Sequence, residues 1–482
     1  MNILLIVADT LRADHLGCYG YHRDTSPRLD ALAGQGALLE EMFANGIPTL
    51  PSFTTLYTGQ HPITHQIVSH GGEVPLHPDS PYFVRDLQRA GFLTAAVDNL
   101  SSLRPWFDWG YDHYLDWTSQ VGRRMYLKCE QINDIAIPWL RQHADRPFFL
   151  MVHYWDSHGV YNPPARLRSR YYQGDPTAPH FNTLTHLHDS PLGEIWAEQW
   201  LTPIAQKLFN GRQIRDAEFV VALYDACIRY VDEGIGALLC ALDDAKLAHD
   251  TLVMVLADHG EMMYHHGIFF EHHGLYDGNL HLPCIIRWPG RTPAGLRPPG
   301  LVQMMDVAPT LLAAAGLPVP PAMEGKSFLP ALLGDSSWQG ADRLIAEECT
   351  WQAKWCLRRD GHKLIRAREP DLHGSPEHEL YHLASDPDEL HNLAEEQPPL
   401  ARLMEAELET WIAGRLTALG RRQDPLIEQG VTMGRKYLDR VHARKRSLRA
   451  RLVFRAKQLL WPLVGRWRNR RKWRRRYQQF RR

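Results

Sequence analysis

The sequence predicts an α/β fold: a large, mostly parallel sheet flanked by helices, followed by a smaller C-terminal sheet-plus-helix subdomain. Three observations carry this prediction. Short runs such as ILLIVA (3–8) and TLVMVLA (251–257) are apolar on both faces, as strands covered by helices on either side must be. These runs alternate with segments of helical spacing, the pattern of a sheet wrapped by its own connections. After about residue 335 the texture changes to hairpin-like stretches and a closing helix.

Five runs are expected as strands: ILLIVA, LTAAV (93–97), PFFLMVHY (147–154), TLVMVLA and LPCIIRWPG (282–290). SPRLDALAGQGALLEEMF (26–43) reads as a helix with Ser26 as its N-cap and Pro27 in the first position, where proline's missing N–H is harmless. The run SFTTLYTG after PTLP is expected to open a helix. DAEFVVALYDACIRYVDEGIGALLCALDDA (216–245) carries apolar residues at helical spacing. DVAPTLLAAAGLP (306–318) starts at Asp306 and stops at Gly316-Leu317-Pro318. KWCLRRDGHKLIRA reads as a hairpin turning at Asp360-Gly361, and a helix runs on to about residue 420. The expected divisions are a main domain over 1–335, a C-terminal subdomain over 336–425 and a tail over 435–482.

The composition, 44% apolar, 23% charged and 10% aromatic over 482 residues, is that of a folded chain with a sizeable core. The net charge of −1 conceals a split. Residues 435–482 hold twenty Lys/Arg against one acid, Asp439, so a body of −20 precedes a tail of +19. In that tail Leu459, Leu460, Trp461, Trp467 and Trp473 interleave with the cations, and Pro462 breaks any single helix. A basic amphipathic segment of this kind suits an anionic membrane surface. Nucleic acid is a second partner reading, and docking on the acidic body a third. Seven widely spaced cysteines without a Cys-x-x-Cys point to a reducing compartment. The start MNILLIVADT has no basic n-region, and no apolar stretch approaches the roughly 20 residues of a membrane span. The expected location is cytoplasmic, with peripheral membrane attachment through the tail.

Ligands of open parallel sheets bind at the carboxyl ends of the strands, so the residues that close each apolar run are the candidates for chemistry. After ILLIVA come Asp9 and Thr10. After LTAAV come Asp98 and Asn99. The third run ends in His153, Asp156 and His158, and the fourth in Asp258 and His259. One Asp after a strand is an ordinary cap or turn former; four such ends on one edge form a constellation. Asp9, Asp258 and His259 suit one divalent cation. Carboxylate plus imidazole fits Mn²⁺ or Zn²⁺, and oxygen-dominated ligation fits Mg²⁺ or Ca²⁺. Thr49, flanked by Pro48 and Pro51 in PTLPSF, is the candidate nucleophile, because a metal-bound hydroxyl loses its proton more readily. Ser52, Thr54 and Thr55 are read as turn and helix-start residues.

The blocks NILLIVADTLRADHLGCYGY, TSPRLDALAGQGALLEEMFA, PTLPSFTTLYTGQHP, LADHGE, HHGLYDGNLHLPCIIRWPG, DVAPTLLAAAGLP and ELYHLASDPDELHNLAEE resemble, in order, the successive blocks of the sulfatase family, part of the alkaline phosphatase superfamily. The resemblance spans roughly residues 1–415. It implies an alkaline phosphatase-like sandwich and one divalent metal held by two N-terminal acids, the nucleophile and a later Asp-His or Asp-Asn pair. Those ligands fall on Asp9, Thr10, Thr49, Asp258 and His259. The family signature Cys/Ser-x-Pro-Ser-Arg falls on Thr49-Leu50-Pro51-Ser52-Phe53. Threonine does not fit conversion to formylglycine, and the Arg that supports that aldehyde is Phe53. The second acid of the N-terminal pair is Thr10. The Lys-x-His block near residue 100 is replaced by Asn99-Leu100-Ser101.

The resemblance also implies that His158 contacts substrate oxygens or protonates the leaving group. His272 stands where many relatives have a Lys that neutralises the transferred group, with His273 as the neighbouring alternative. Asn99, Asp156 and His273 are expected to bind substrate. The expected activity is metal-dependent hydrolysis of a sulfate, phosphate-diester or phosphonate ester, small or part of a lipid or polysaccharide. Thr49 attacks in line, His272 stabilises charge where it grows, and His158 protonates the leaving alcohol. An unmodified Thr favours phosphoester or phosphonate chemistry. Two other readings are a transferase that passes a phospho-head group to another acceptor, and an inactive binding protein, for which Thr10, Phe53 and Asn99 speak.

Overall fold

The structure, a computed structural model, describes residues 1–118, 126–188 and 192–434; the basic tail over 435–482 lies outside the described residues. In chain order the first strands are β1 (Asn2–Ala8), β2 (Ala37–Leu38), β3 (Met42–Phe43), β4 (Gly46–Ile47), β5 (Leu93–Val97), β6 (His113–Tyr114), β7 (Phe148–Tyr154) and β8 (Thr251–Leu256). They are followed by β9 (His281–Leu282), β10 (Cys284–Arg287), β11 (Val302–Gln303), β12 (Leu344–Glu348), β13 (Lys354–Arg359), β14 (His362–Ala367) and β15 (His378–His382).

The large sheet has the order β2-β10-β8-β1-β7-β5-β6. Its centre, from β8 to β6, is parallel, and every residue of β1, β7 and β8 is buried. That burial explains the unbroken apolar runs. β10, from the LPCIIRWPG run, is antiparallel to β8 and to β2. The chain leaves β8 at its carboxyl end and does not cross back over the sheet, so β10 returns in the opposite sense. On one side, the helices Pro27–Gly34 and Cys129–Gln142 pack on the long helix Ala217–Asp244. A second group comprises Thr49–Thr58, Phe83–Arg89 and Val307–Ala314. No helix among the described residues is long and apolar enough to cross a membrane.

The helix expected over 26–43 stops at Gly34. A Cβ on Gly36 would lie 2.0 Å from the Ile286 carbonyl oxygen, so the chain must run extended beside β10 there, and the rest of the block forms β2 and β3. Ser26 does not cap that helix. Its Oγ accepts from Gly17 N–H and donates to Asp30 Oδ1. The carboxylate of Asp232, on the long helix, accepts from the N–H groups of Arg28 and Leu29 instead, at 3.0 and 2.8 Å.

A five-stranded C-terminal sheet has the order β15-β14-β13-β12-β4. β13 and β14 form the expected hairpin; Asp360 and Gly361 both take positive φ, 49° and 73°, as a two-residue turn with the twist of its strands requires. Trp355, Leu357, Leu364 and Leu380 pack there against Met404, Leu408 and Ile412 of the helix Pro398–Ala418. The outermost strand of this sheet comes from the N-terminal part of the chain: β4 pairs parallel with β12, Gly46 opposite Glu347 and Ile47 opposite Glu348. A three-stranded ribbon β11-β3-β9 completes the sheets. Met1–Asp175 and Ala217–Met433 form one compact unit, and Pro176–Asp216 belong to a second, which contains the helix Thr202–Phe209.

Candidate active site

The register of the large sheet brings the candidate acids side by side. β1 and β8 align Val7 with Leu256, which continues to Asp9 beside Asp258. β5 and β7 align Val97 with Val152, which continues to Asp98 beside His153. The ligand atoms of Asp9, Asp258 and His259 lie within 4.8 Å of one another, all buried. Asp258 Oδ1 accepts from the N–H groups of Thr10 (3.2 Å) and His259 (2.9 Å), which fixes the carboxylate. The Asp9 carbonyl accepts from Ser157 Oγ at 2.6 Å, and the Asp258 carbonyl from Ser52 Oγ at 2.5 Å. Ser52 is therefore an anchor between the two segments.

Thr10 has φ +55°, a left-handed conformation that is costly for a β-branched residue. Tyr224 of the long helix holds it there, donating to the Thr10 carbonyl (2.7 Å) and accepting from Arg12 N–H (3.0 Å). Thr49 is the first residue of its helix and is 3% exposed. Its Oγ1 lies 3.2 Å from His259 Nε2. His259 Nδ1 donates to the Gly260 carbonyl at 2.9 Å, so Nε2 carries the lone pair.

The donor set fits a divalent cation. Asp9 Oδ1, Asp258 Oδ2 and Thr10 Oγ1 are buried and make no hydrogen bond to protein atoms. Two carboxylates this close, out of water, repel unless a positive charge joins them. The pair's pKa values diverge accordingly. Asp9 is held well below the carboxylate range: burial opposes this, but His153, His158 and His259 outweigh it. Asp258 is pushed up by burial and by the charge of Asp9. Burial and the neighbouring His272 lower His259 to about 3, which leaves its imidazole neutral, the form that binds metal.

Around this cluster stand further histidines. The His272 ring lies 5.0 Å from those of His158 and His259. Burial would lower the His272 pKa, but Glu261, whose Oε1 is 3.6 Å from Nδ1, and Glu271 raise it to about 9. His158 Nδ1 donates to the Gly159 carbonyl at 2.7 Å, and burial lowers its pKa. Tyr126, 40% exposed, lies beside it at 5.2 Å between rings.

The other candidates make contacts outside the three-ligand cluster. Asp156 Oδ1 accepts from Lys128 Nζ at 2.7 Å. His273 Nε2 meets His373 Nε2 at 2.9 Å, with Trp351 alongside. Neither belongs to the three-ligand cluster. Asn99 is buried at the end of β5, where its carbonyl accepts from Ser102 N–H and Oγ.

Beside the site, Asp98 and His153 are strand-end candidates to which the sequence reading assigns no specific role, and Glu261 is not among its candidates. His153 lies 3.3 Å from Asp9 Oδ2 through Nε2 and 2.8 Å from Asp98 Oδ1 through Nδ1; Phe53 covers it at 4.9 Å between rings. Glu261 sits behind His272. The available signal was an ionisable residue inside an otherwise apolar run, which needs a partner.

An α/β sheet whose strand ends hold two acids, an imidazole and a helix-initiating hydroxyl defines a class. The sulfatase family profile matches residues 1–317, and that of the C-terminal region of N-sulphoglucosamine sulphohydrolase matches 265–413. The chain belongs to the sulfatase family, sulfuric ester hydrolases of the alkaline phosphatase superfamily. Similar proteins include mouse (Mus musculus) iduronate 2-sulfatase, 27% identical over 408 residues, 68% of this chain and 71% of that protein. Rat (Rattus norvegicus) arylsulfatase K is 24% identical over 459 residues, covering 85% of this chain and 78% of that protein. Among solved structures, the phosphonate monoester hydrolase of Agrobacterium radiobacter superposes with TM-score 0.66 at 23% identity, covering 86% of this chain and 96% of that one. At that identity the likeness is one of fold.

Proposed function

We propose that this protein is a metal-dependent ester hydrolase in which Thr49 is the nucleophile and the transferred group is a phosphonate, phosphate-diester or sulfate. The observation that carries this reading is the 3.2 Å approach of Thr49 Oγ1 to His259 Nε2, inside the buried Asp9–Asp258–His259 cluster. A divalent cation held by those three, with the Thr10 and Thr49 hydroxyls, would supply Lewis-acid polarisation of the ester and ease loss of the Thr49 proton.

The rest of the chemistry belongs to side chains. Thr49 begins a helix, whose positive end favours an anion at the nucleophile. Thr49 Oγ1 loses its proton to solvent and bonds to the central atom while the bond to the leaving alcohol breaks. His272, cationic beside Glu261, faces the growing charge on the non-bridging oxygens. His158 gives a proton from Nε2 to the leaving oxygen. Water then attacks the covalent ester on Thr49 and restores it.

The relatives' names supply the substrate classes. They include an N-acetylglucosamine-6-O-sulfatase of Bacteroides thetaiotaomicron and a structure in complex with its substrate D-glucosamine-2-N,6-O-disulfate, beside the phosphonate monoester hydrolase. An unmodified Thr favours the phosphonate or phosphate-diester side. The test is a panel of aryl sulfate, phosphate monoester, phosphate diester and phosphonate monoester, each with Mn²⁺, Zn²⁺, Mg²⁺ and Ca²⁺. Turnover of the phosphonate or diester that disappears with chelator is the expected result. Folded protein inert to all four esters with every metal would reject the reading.

A further inference from the structure

We propose that His153 is a positioning residue: held by Asp98, it orients the carboxylate of Asp9 for the cation. The inference rests on the reading of Asp9, Asp258 and His259 as a divalent-cation site. It adds a support that the ligand set does not contain.

The geometry is that of a relay across three adjacent strands. Asp98 follows β5, His153 lies near the end of β7, and Asp9 follows β1. Asp98 is fixed first: its Oδ2 accepts from the Tyr114 hydroxyl and from Leu100 N–H at 3.1 Å. Its Oδ1 then accepts from His153 Nδ1 at 2.8 Å. The opposite nitrogen, Nε2, faces Asp9 Oδ2 at 3.3 Å. All three side chains are 0% exposed, so water does not compete for these contacts. Phe53 closes the remaining side of the imidazole, with ring centroids 4.9 Å apart.

His153 Nε2 stands at ion-pair distance from the Oδ2 side of the Asp9 carboxylate, and neither oxygen of that carboxylate makes a hydrogen bond within the protein. An imidazole nitrogen held beside one oxygen favours one rotation of the carboxylate and turns the other oxygen outward, which is what outer-shell partners do for metal ligands. The need for such a brace follows from the neighbouring residue. Thr10 contributes a hydroxyl in place of a second charged ligand, so the cation depends more heavily on how Asp9 is held. Phe53 contributes packing in place of a cation, and the imidazole it covers lies 3.3 Å from Asp9.

The test is calorimetric titration of metal-depleted full-length protein with Mn²⁺. His153→Ala should weaken binding by about tenfold to a hundredfold, the usual effect of removing an outer-shell partner. Asp98→Asn, which keeps the shape of the support, should weaken it by about tenfold and stands in for the alanine variant if that one does not fold. His153→Gln, whose amide can replace Nε2–H, should recover most of the loss. A purely structural role would lower the melting temperature and leave the Mn²⁺ Kd unchanged. That pattern overturns the inference while the cation site stands. Wild-type protein that binds no Mn²⁺ overturns both.

Discussion

Thr49 differs from an ordinary threonine in three physical ways: it is buried, it starts a helix, and its hydroxyl meets an imidazole lone pair. If it is the nucleophile, Thr49→Ala should lower turnover on the order of 10³-fold or more, with Mn²⁺ binding only weakened; Thr49→Ser should retain most activity. An alanine variant that turns over at the wild-type rate would remove Thr49 from the mechanism. His158 carries a pH signature. Its Nδ1–H is committed to the Gly159 carbonyl, so donation from Nε2 requires the imidazolium. Burial lowers its pKa below the ordinary 6.5. The acid form is therefore lost as pH rises through that lowered value, and kcat/KM for esters of poor leaving groups should fall over the same range. His158→Asn should cost roughly 10²- to 10⁴-fold on alkyl esters and far less on nitrophenyl esters, which leave without a proton; equal losses on both would reject the acid role. At this scale the strand-end rule was informative. Among the strand-end residues it singled out Asp9, Asp258 and His259 because two carboxylates and an imidazole together suit one cation. It placed Asp98 and His153 among the strand-end candidates without assigning them a specific role, and it did not reach Glu261, because their partners lie on other strands or loops and only register brings them together.

Secondary-structure elements set these residues with close tolerances. β4 is two residues long, yet it fixes where the Thr49 helix begins. A Cβ on Gly46 would lie 2.6 Å from Glu347 Oε1 and 2.7 Å from Pro62 Cγ, so a side chain there must displace the buried Glu347 carboxylate and the Pro62 ring or shift β4. Gly46→Ala should lower kcat by about 10²-fold, the cost of a displacement near 1 Å at a reacting group. Assay alongside circular dichroism checks this; full activity in a folded variant would show that β4 does not set the nucleophile. The long helix Ala217–Asp244 and the hairpin at Asp360-Gly361 were legible from periodicity and turn chemistry. The early end of the 26–43 helix was not, because the cause is a backbone contact with Ile286, more than 200 residues away in sequence. Nor was the capping of that helix by Asp232, since local patterns identify Ser26.

Across the whole molecule, folding buries neutral histidines that the unfolded chain would protonate. His61 accepts from Ile63 N–H through Nδ1 and donates to the Ile345 carbonyl through Nε2; burial lowers its pKa to about 3. Between that value and the ordinary 6.5, the unfolded chain binds the extra proton and the folded one does not. Stability from this site is thus present above 6.5 and lost as pH falls. Relative to wild type, His61→Gln should be about 2 kcal/mol better placed at pH 5 than at pH 7, measured by urea unfolding at both; a pH-independent difference would refute the assignment. The division expected at residue 335 rested on a change of local texture ahead of the C-terminal sheet of β12 to β15. What local composition could not carry is that β4 belongs to the second sheet, with residues 46 and 47 paired to 347 and 348. That pairing has a consequence in time. A ribosome makes the chain from its N-terminus, so Thr49 emerges long before the strand that steadies it. On the reading proposed above, the nascent chain cannot carry out its chemistry until some three hundred further residues have been made. Catalytic competence would then be a property of the finished chain, and a protease cut between 335 and 348 that released the second sheet would silence a nucleophile it never touched.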